Sequence, residues 1–232
     1  MERYLIEFYK KLNKYESSLI KVGSIKSLNI HAKEYLNKLA KSGKIEKIAW
    51  GWYYITPKKE PATALEFLAR DKNFKVVVDQ SAASFWNQDF VHRNAVTIAV
   101  NSLPYKKALE SFVKRRGWNI SIEYDKKLDK IKYRNLGNLL VEDRERTIIE
   151  CMKRWAFIDA IAVLAANKNL SFQRLMKDSF WIRISGTDTR VKQAIEYSVY
   201  KLFKTGGRKV DIKNEFIRAE LDEAISKVSE FE

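Results

Sequence analysis

The sequence predicts an α+β protein with a helix-and-hairpin segment at residues 1–58, a small mixed α/β domain at 62–142 and a helical C-terminal region at 143–232. Three observations predict it. A helix-period apolar stripe over Ala32, Tyr35, Leu36, Leu39 and Ala40 stops at Gly43 and is followed by two short runs hinged at Trp50-Gly51. Strand-like runs at FKVVVD, AVTIAV, WNISIEY and Leu139–Val141 alternate with helical stretches. Beyond Asp143 the pattern is helical throughout, and an apolar share of 46% in 232 residues is enough for a real core.

Taken in order, Leu5, Phe8, Tyr9 and Leu12 place a first helix over residues 2–15. The stretch Ser17–Thr56 then reads as a compact helix, a second helix over Ala32–Ser42 and a two-stranded ribbon, Ile45–Ala49 and Trp52–Thr56. Gly43 supplies the left-handed residue that commonly ends a helix. Helix, turn, helix and hairpin is the layout of a winged helix-turn-helix, whose second helix enters the DNA major groove. Pro57–Pro61, PKKEP, reads as a linker, and ATALEFLARD as a helix of about two turns. Pro104 opens a helix that Gly117 stops. Asp143 is placed to cap a helix leading into the apolar run Ile148–Ala166. A short helix at Leu170–Lys177, a turn at Gly186-Thr187-Asp188, a long amphipathic helix to Gly206-Gly207 and a last helix with Ile217, Leu221, Ala224, Ile225 and Val228 on one side complete the chain.

Lys33, Asn37 and Lys41 are four residues apart and so stack along one side of the second helix. A solvated face is the ordinary use of such a pattern. Three features set this one apart: its charges are lysines against one acid, Glu34; Asn37 is a side chain that can pair bidentately with adenine; and the hairpin adds Lys44, Lys47, Trp50 and Trp52. Asn37 and Lys33 are the expected base readers, and Lys38, Lys41, Lys44 and Lys47 the expected phosphate contacts. His31, at the helix start, is expected to touch a phosphate or to cap. Tyr53 and Ile55 are expected to face inward, with Trp50 or Trp52 nearest the hairpin tip; Trp86, Trp118, Trp155 and Trp181 are expected in the core.

Composition points the same way. The chain carries 44 basic and 29 acidic residues, a net charge of +15. The excess is densest over residues 1–60, at +7, against +4 over each of 61–150 and 151–232. A clustered basic surface releases counterions from nucleic acid whatever its sequence. With no signal-like stretch, spanning run or lipidation motif, a cytoplasmic protein without membrane contact is expected. The single cysteine, Cys151, excludes an internal disulfide and is expected to be buried and inert.

Catalytic chemistry leaves no comparable signal. His31 and His92 lack metal-ligand spacing, and there is no Gly-rich phosphate loop or nucleophile turn. Asp143 and Glu145 stand two apart, which on a helix turns them away from each other; the expected arrangement is a capped helix with Arg146 in an ion pair. Asp79 ends a strand, but no second carboxylate is expected at a comparable strand end beside it. No catalytic residue, cofactor or metal ligand is therefore expected.

Three stretches, GKIEKIAWGWYYI, DQSAASFWNQDF and LLVEDRERTIIECM, in this order and spacing, resemble the AbiEi-type antitoxin and transcriptional regulator family of abortive-infection toxin–antitoxin systems. The resemblance rests on Gly51 and Tyr53 in the wing, on Ser-Ala after a strand, and on Glu145-Arg146-Thr147 before an apolar helix; it covers roughly residues 18–165. Asn87-Gln88-Asp89 departs from the family, which often has Gly there. The resemblance implies an autorepressing regulator whose winged helix binds double-stranded operator repeats; a homodimer on inverted repeats is usual for helix-turn-helix regulators, and a monomer with two sites is the alternative. It also implies a second domain that counteracts a nucleotidyltransferase-type toxin. A protein-binding antitoxin module without DNA recognition, an RNA binder using the aromatic wing and a nucleic-acid-processing enzyme are the alternative expectations.

Overall fold

The computed structural model describes residues 2–28, 31–87, 95–166, 189–203 and 212–230. It is an α+β structure with two sheets, and its helices outweigh its strands. The chain gathers into two compact units, Met1–Val76 with Asn94–Ile131 and Asn135–Leu140, and Val77–Arg93 with Lys132–Arg134 and Val141–Glu232. The segments expected at 1–58, 62–142 and 143–232 are thus distributed over these units. No described helix is long and apolar enough to cross a membrane.

In the first unit, α1 (Glu2–Leu12) buries Phe8 and Leu12 and runs into a 3-10 turn at Asn13–Tyr15. The compact helix expected after it is instead a strand, β1 (Leu19–Lys21), followed by a 3-10 stretch, Val22–Leu28. The reason is long-range pairing: Leu19 and Ile20 lie opposite Tyr54 and Tyr53, and the Leu19 N–H donates to Asp71 Oδ1 at 3.0 Å. Local periodicity carries no trace of either partner.

Helix α2 (Ala32–Lys41) buries Ala32, Tyr35, Leu36 and Leu39, as its spacing predicts. It closes with the Gly43 N–H on the Ala40 carbonyl and the Lys44 N–H on the Leu39 carbonyl, Gly43 standing at φ +72°. Strands β2 (Glu46–Ala49) and β3 (Trp52–Tyr54) form the expected hairpin, with a register shift between Lys47 and Ala49 and Gly51 at φ +74° in the turn. With β1 the ribbon becomes a three-stranded antiparallel sheet in the order β1-β3-β2. Tyr53 and Ile55 face inward as expected and share a core with Phe8, Leu12, Ile20, Leu36 and Leu39.

The PKKEP stretch is tied into this unit: Pro61 is buried, the Tyr54 hydroxyl donates to Glu60 at 3.0 Å, and Arg70 Nη1 donates to the Lys59 carbonyl at 2.9 Å. Helix α3 (Ala64–Arg70) starts at Thr63, whose hydroxyl accepts from the Glu66 N–H. Strand β4 (Val76–Val77) leads into α4 (Asp79–Trp86). Strand β5 (Val96–Val100), helix α5 (Leu103–Arg116) and strand β6 (Ile120–Tyr124) make a parallel β-α-β unit, with Val96 opposite Ile120 and Val100 opposite Tyr124. Tyr54, Phe67, Phe112 and Trp118 pack tilted and edge-on with ring centroids 4.6–6.1 Å apart, joining β3, α3, α5 and the turn before β6.

A strand not expected, β7 (Tyr133–Leu136), precedes β8 (Leu139–Glu142), across a turn with Gly137 at φ +61°. Its YRNL run is largely exposed and lacks the apolar alternation that marks a strand. The five strands run in the order β6-β5-β4-β8-β7.

In the second unit β4 and β8 are parallel, with Val77 opposite Val141. Asp143 caps α6 (Arg144–Lys153), its Oδ1 accepting from the Arg146 N–H at 3.0 Å. Helices α6, α7 (Phe157–Ala165), α8 (Thr189–Phe203) and α9 (Glu215–Ser229) enclose one apolar core containing Ile148, Ile161, Leu164, Ile195 and Leu221. Cys151 is fully buried there. Trp86 packs partly against this core, whereas Trp155, expected inside, is 55% exposed. The expected helix Leu170–Lys177, Trp181, the turn Gly186-Thr187-Asp188, Gly206-Gly207 and His92 lie outside the described residues.

Candidate nucleic-acid interface

Helix α2 is held by one side and leaves the other to solvent. With Ala32, Tyr35, Leu36 and Leu39 in the core, the 3.6-residue period turns Lys33, Lys38 and Lys41 outward, and all three are exposed. Lys44 and Lys47, on the loop and strand that follow, are exposed as well. The Lys44 ammonium lies 5.6 Å from the Tyr9 ring centroid, which anchors its stem beside α1. His31 precedes the helix with no side-chain capping bond; its Nδ1 stands 3.8 Å from the Glu34 carboxylate.

Asn37 sits between these lysines but is not wholly available. Its Oδ1 accepts a 2.7 Å hydrogen bond from the Tyr53 hydroxyl, reaching across from β3. Bidentate pairing with adenine uses both the oxygen and the nitrogen of the amide. The bond to Tyr53 occupies one lone pair of the oxygen and orients the amide, leaving Nδ2 as its donor. Burial raises the Tyr53 hydroxyl above its ordinary pKa of 10.0, so it remains a donor at neutral pH.

The aromatic pair at the hairpin divides. Trp50 occupies the turn and is 90% exposed. Trp52, expected beside it as a contact, is a correction: it is 7% exposed, with its ring 5.9 Å from that of Tyr105 on α5. Alternation along β3 explains it. Tyr53 points to the α2 side and Trp52 and Tyr54 to the α5 side, and here both faces of the strand are covered. The expectation treated one face as open, because nothing in the hairpin sequence announces a helix that arrives fifty residues later.

That helix also supplies residues that sequence reasoning did not single out. Arg115 Nη1 donates to the Lys47 carbonyl at 2.9 Å and Nη2 to the Ile48 carbonyl at 2.7 Å, while Arg115 and Arg116 both pair with Glu46. These bonds occupy the outer edge of β2, which would otherwise offer unpaired carbonyls. The KRRG run at 114–117 carries the charge that makes this possible, yet its target is invisible without the tertiary structure.

The second unit holds a buried acid pair. Glu142, at the end of β8, stands beside Asp79, which follows the parallel strand β4; the second strand-end carboxylate held to be absent is therefore present. The Asp79 N–H donates to Glu142 Oε1 at 2.7 Å. Asp79, at φ +56°, pairs with Arg154 at 2.9 Å; Arg146 Nε lies 3.4 Å from Glu142 Oε2, and its Nη2 stands 3.8 Å from the Glu150 carboxylate, the expected ion pair. Burial, and then the charge of Asp79, push the Glu142 carboxyl up to about 8. Burial also raises Asp143 to about 6. Among the described residues, no group of three or more His, Cys, Asp or Glu side chains could hold a metal ion.

No family model matches the sequence, and neither does any curated protein. In fold the chain is similar to the RV2827C protein from Mycobacterium tuberculosis, whose crystal structure aligns with a TM-score of 0.51 at 15% identity, covering 93% of this chain and 79% of that one. At that identity the likeness is one of fold alone.

Proposed function

We propose that the protein is a non-enzymatic, sequence-specific binder of double-stranded DNA that acts as a transcriptional regulator. On this reading the first unit is a winged helix-turn-helix, with α2 in the major groove and the β2–β3 hairpin as the wing. The observation that carries it is the exposed Lys33, Lys38 and Lys41 face of α2, whose opposite side is fixed in the core. The element order helix, strand, helical turn, helix, hairpin, with the sheet order β1-β3-β2, supports the same reading. Lys33 and the Asn37 amide read base edges; Lys38, Lys41, Lys44, Lys47 and His31 meet phosphates, and Trp50 rides on the backbone beside the groove. In keeping with the AbiEi-type resemblance, the regulator represses its own operon and the segment 62–142 engages a cognate toxin.

Fluorescence anisotropy with duplex from the chain's own upstream region, against a scrambled duplex, tests the DNA reading. Each of Lys38→Ala, Lys41→Ala and Lys44→Ala should lower the salt slope of log K by about 0.9 if it removes one phosphate contact. Asn37→Ala should cost about 1–3 kcal/mol at one base pair and spare the scrambled duplex. An undiminished grip on duplex in the triple lysine variant would reject the α2 face as the contact.

A further inference from the structure

The turn between α6 and α7 carries a residue whose backbone works against its identity. Trp155 has φ +62° and is 55% exposed. Its N–H bonds the Met152 carbonyl at 3.3 Å, and the Ala156 N–H bonds the Cys151 carbonyl at 2.9 Å. In this paired helix closure the left-handed place usually falls to Gly, because a Cβ there crowds the backbone. A bulky side chain in that conformation is a strained choice, and such strain gathers at binding and functional sites. Here it holds an indole at the surface instead of in the core.

The surroundings of the indole fit a partner. Phe216, 62% exposed, lies 6.2 Å from the Trp155 ring, and Ile158 is 38% exposed, so the turn carries an apolar rim. Beside it opens a cavity of about 440 Å³ walled by Trp155, Phe157, Asp159, Glu220, Glu223 and Lys227. Asp159 is 4% exposed and its Oδ2 accepts from Gln80 Nε2 at 3.1 Å. Glu223 is paired with Lys227, whose charge also acts on the exposed Glu220. Of the lining side chains three are acidic, Asp159, Glu220 and Glu223, and one is basic, Lys227. An acidic, aromatic-walled cavity in a chain of net charge +15 is local complementarity to a cation.

We propose that this cavity and its rim are a docking site for a protein partner that inserts an arginine side chain. The guanidinium stacks on the Trp155 indole and meets the Glu220 and Glu223 carboxylates, while apolar residues flanking that arginine cover Phe216 and Ile158. Arginine suits the site better than lysine because its planar, weakly hydrated head stacks on rings and pairs with carboxylates in two directions. A free small cation would fill the cavity and leave the rim uncovered. The site shares no residue with the α2 face, so it stands or falls separately from the DNA reading.

The test uses the full chain and a capped tripeptide, acetyl-Leu-Arg-Leu-amide, with the neutral isostere acetyl-Leu-citrulline-Leu-amide as control. The Trp155 indole N–H, assigned in ¹H–¹⁵N spectra by its loss in Trp155→Gly, should shift saturably with the arginine peptide and at least tenfold more weakly with the citrulline one. The double variant Glu220→Gln/Glu223→Gln, which leaves the turn untouched, should lose at least tenfold in affinity for the arginine peptide. Trp155→Gly, followed through other shifted resonances and checked by thermal melting, should do the same. Equal binding of the two peptides, absence of a saturable shift, or full affinity in the double variant would each overturn the proposal.

Discussion

Replacing Glu142 with Gln should flatten the dependence of stability on pH. Glu142 is 1% exposed at the end of β8, and its carboxyl is raised from 4.5 to about 8, first by burial and then by the charge of Asp79. The Asp79 N–H and Arg146 pull the other way and lose. The native protein therefore keeps a proton that the unfolded chain releases above its ordinary carboxylate range. Because the folded pKa lies above the unfolded one, acidification favours the native state. Stability falls as pH rises from about 4.5, and the loss is complete above about 8. At 1.36 kcal/mol per pKa unit, this one group costs about 3 kcal/mol between pH 5 and pH 8. Glu142→Gln can keep the acceptor for the Asp79 N–H and has no proton to lose. Urea unfolding of both proteins at pH 5, 6, 7 and 8 should show their stability difference moving in the variant's favour by about that amount. Asp143, raised to about 6, adds a slope of the same sign; it is present in both proteins and largely cancels. Parallel loss of stability in the two proteins from pH 5 to pH 8 would refute the reasoning.

Two further substitutions probe the first unit. Asp71 is buried and accepts from the Leu19 N–H, Asn73 Nδ2 and the Tyr105 hydroxyl, while Lys75, itself 7% exposed, pairs with it at 3.4 Å. Asp71→Ala leaves that ammonium without its carboxylate, and chemical denaturation should read a loss of about 3–5 kcal/mol; a change below 1 kcal/mol would show that water replaces the carboxylate. Tyr53→Phe removes the hydroxyl that orients Asn37. It should cost about 1 kcal/mol in stability and, if α2 reads DNA, change the preferred base at one position of a selected-site library while leaving phosphate affinity alone.

How far the fold was legible varies with the range of the forces involved. Helix α2 is written in its own residues: the stripe from Ala32 to Leu39 and Gly43 behind it define one buried side, so the exposure of Lys33, Lys38 and Lys41 follows without any partner. The same holds for Asp143 as the cap of α6 and for Gly117 at the end of α5. Caps and helical stripes act within one or two turns, and the sequence alone determines them.

Contacts between distant segments had no local signature. Strand β1 exists because Leu19 and Ile20 find Tyr54, Tyr53 and Asp71, and Trp52 is buried because α5 covers its face of β3. The Asn37 oxygen is engaged because Tyr53 alternates toward α2. Asp79 and Glu142 are sixty-three residues apart, and parallel pairing of β4 with β8 sets them side by side. Each of these depends on which surfaces meet after the chain has collapsed. The exposure of the α2 lysines was thus legible from the sequence, while the burial of Trp52 and the engagement of the Asn37 oxygen were settled by tertiary packing.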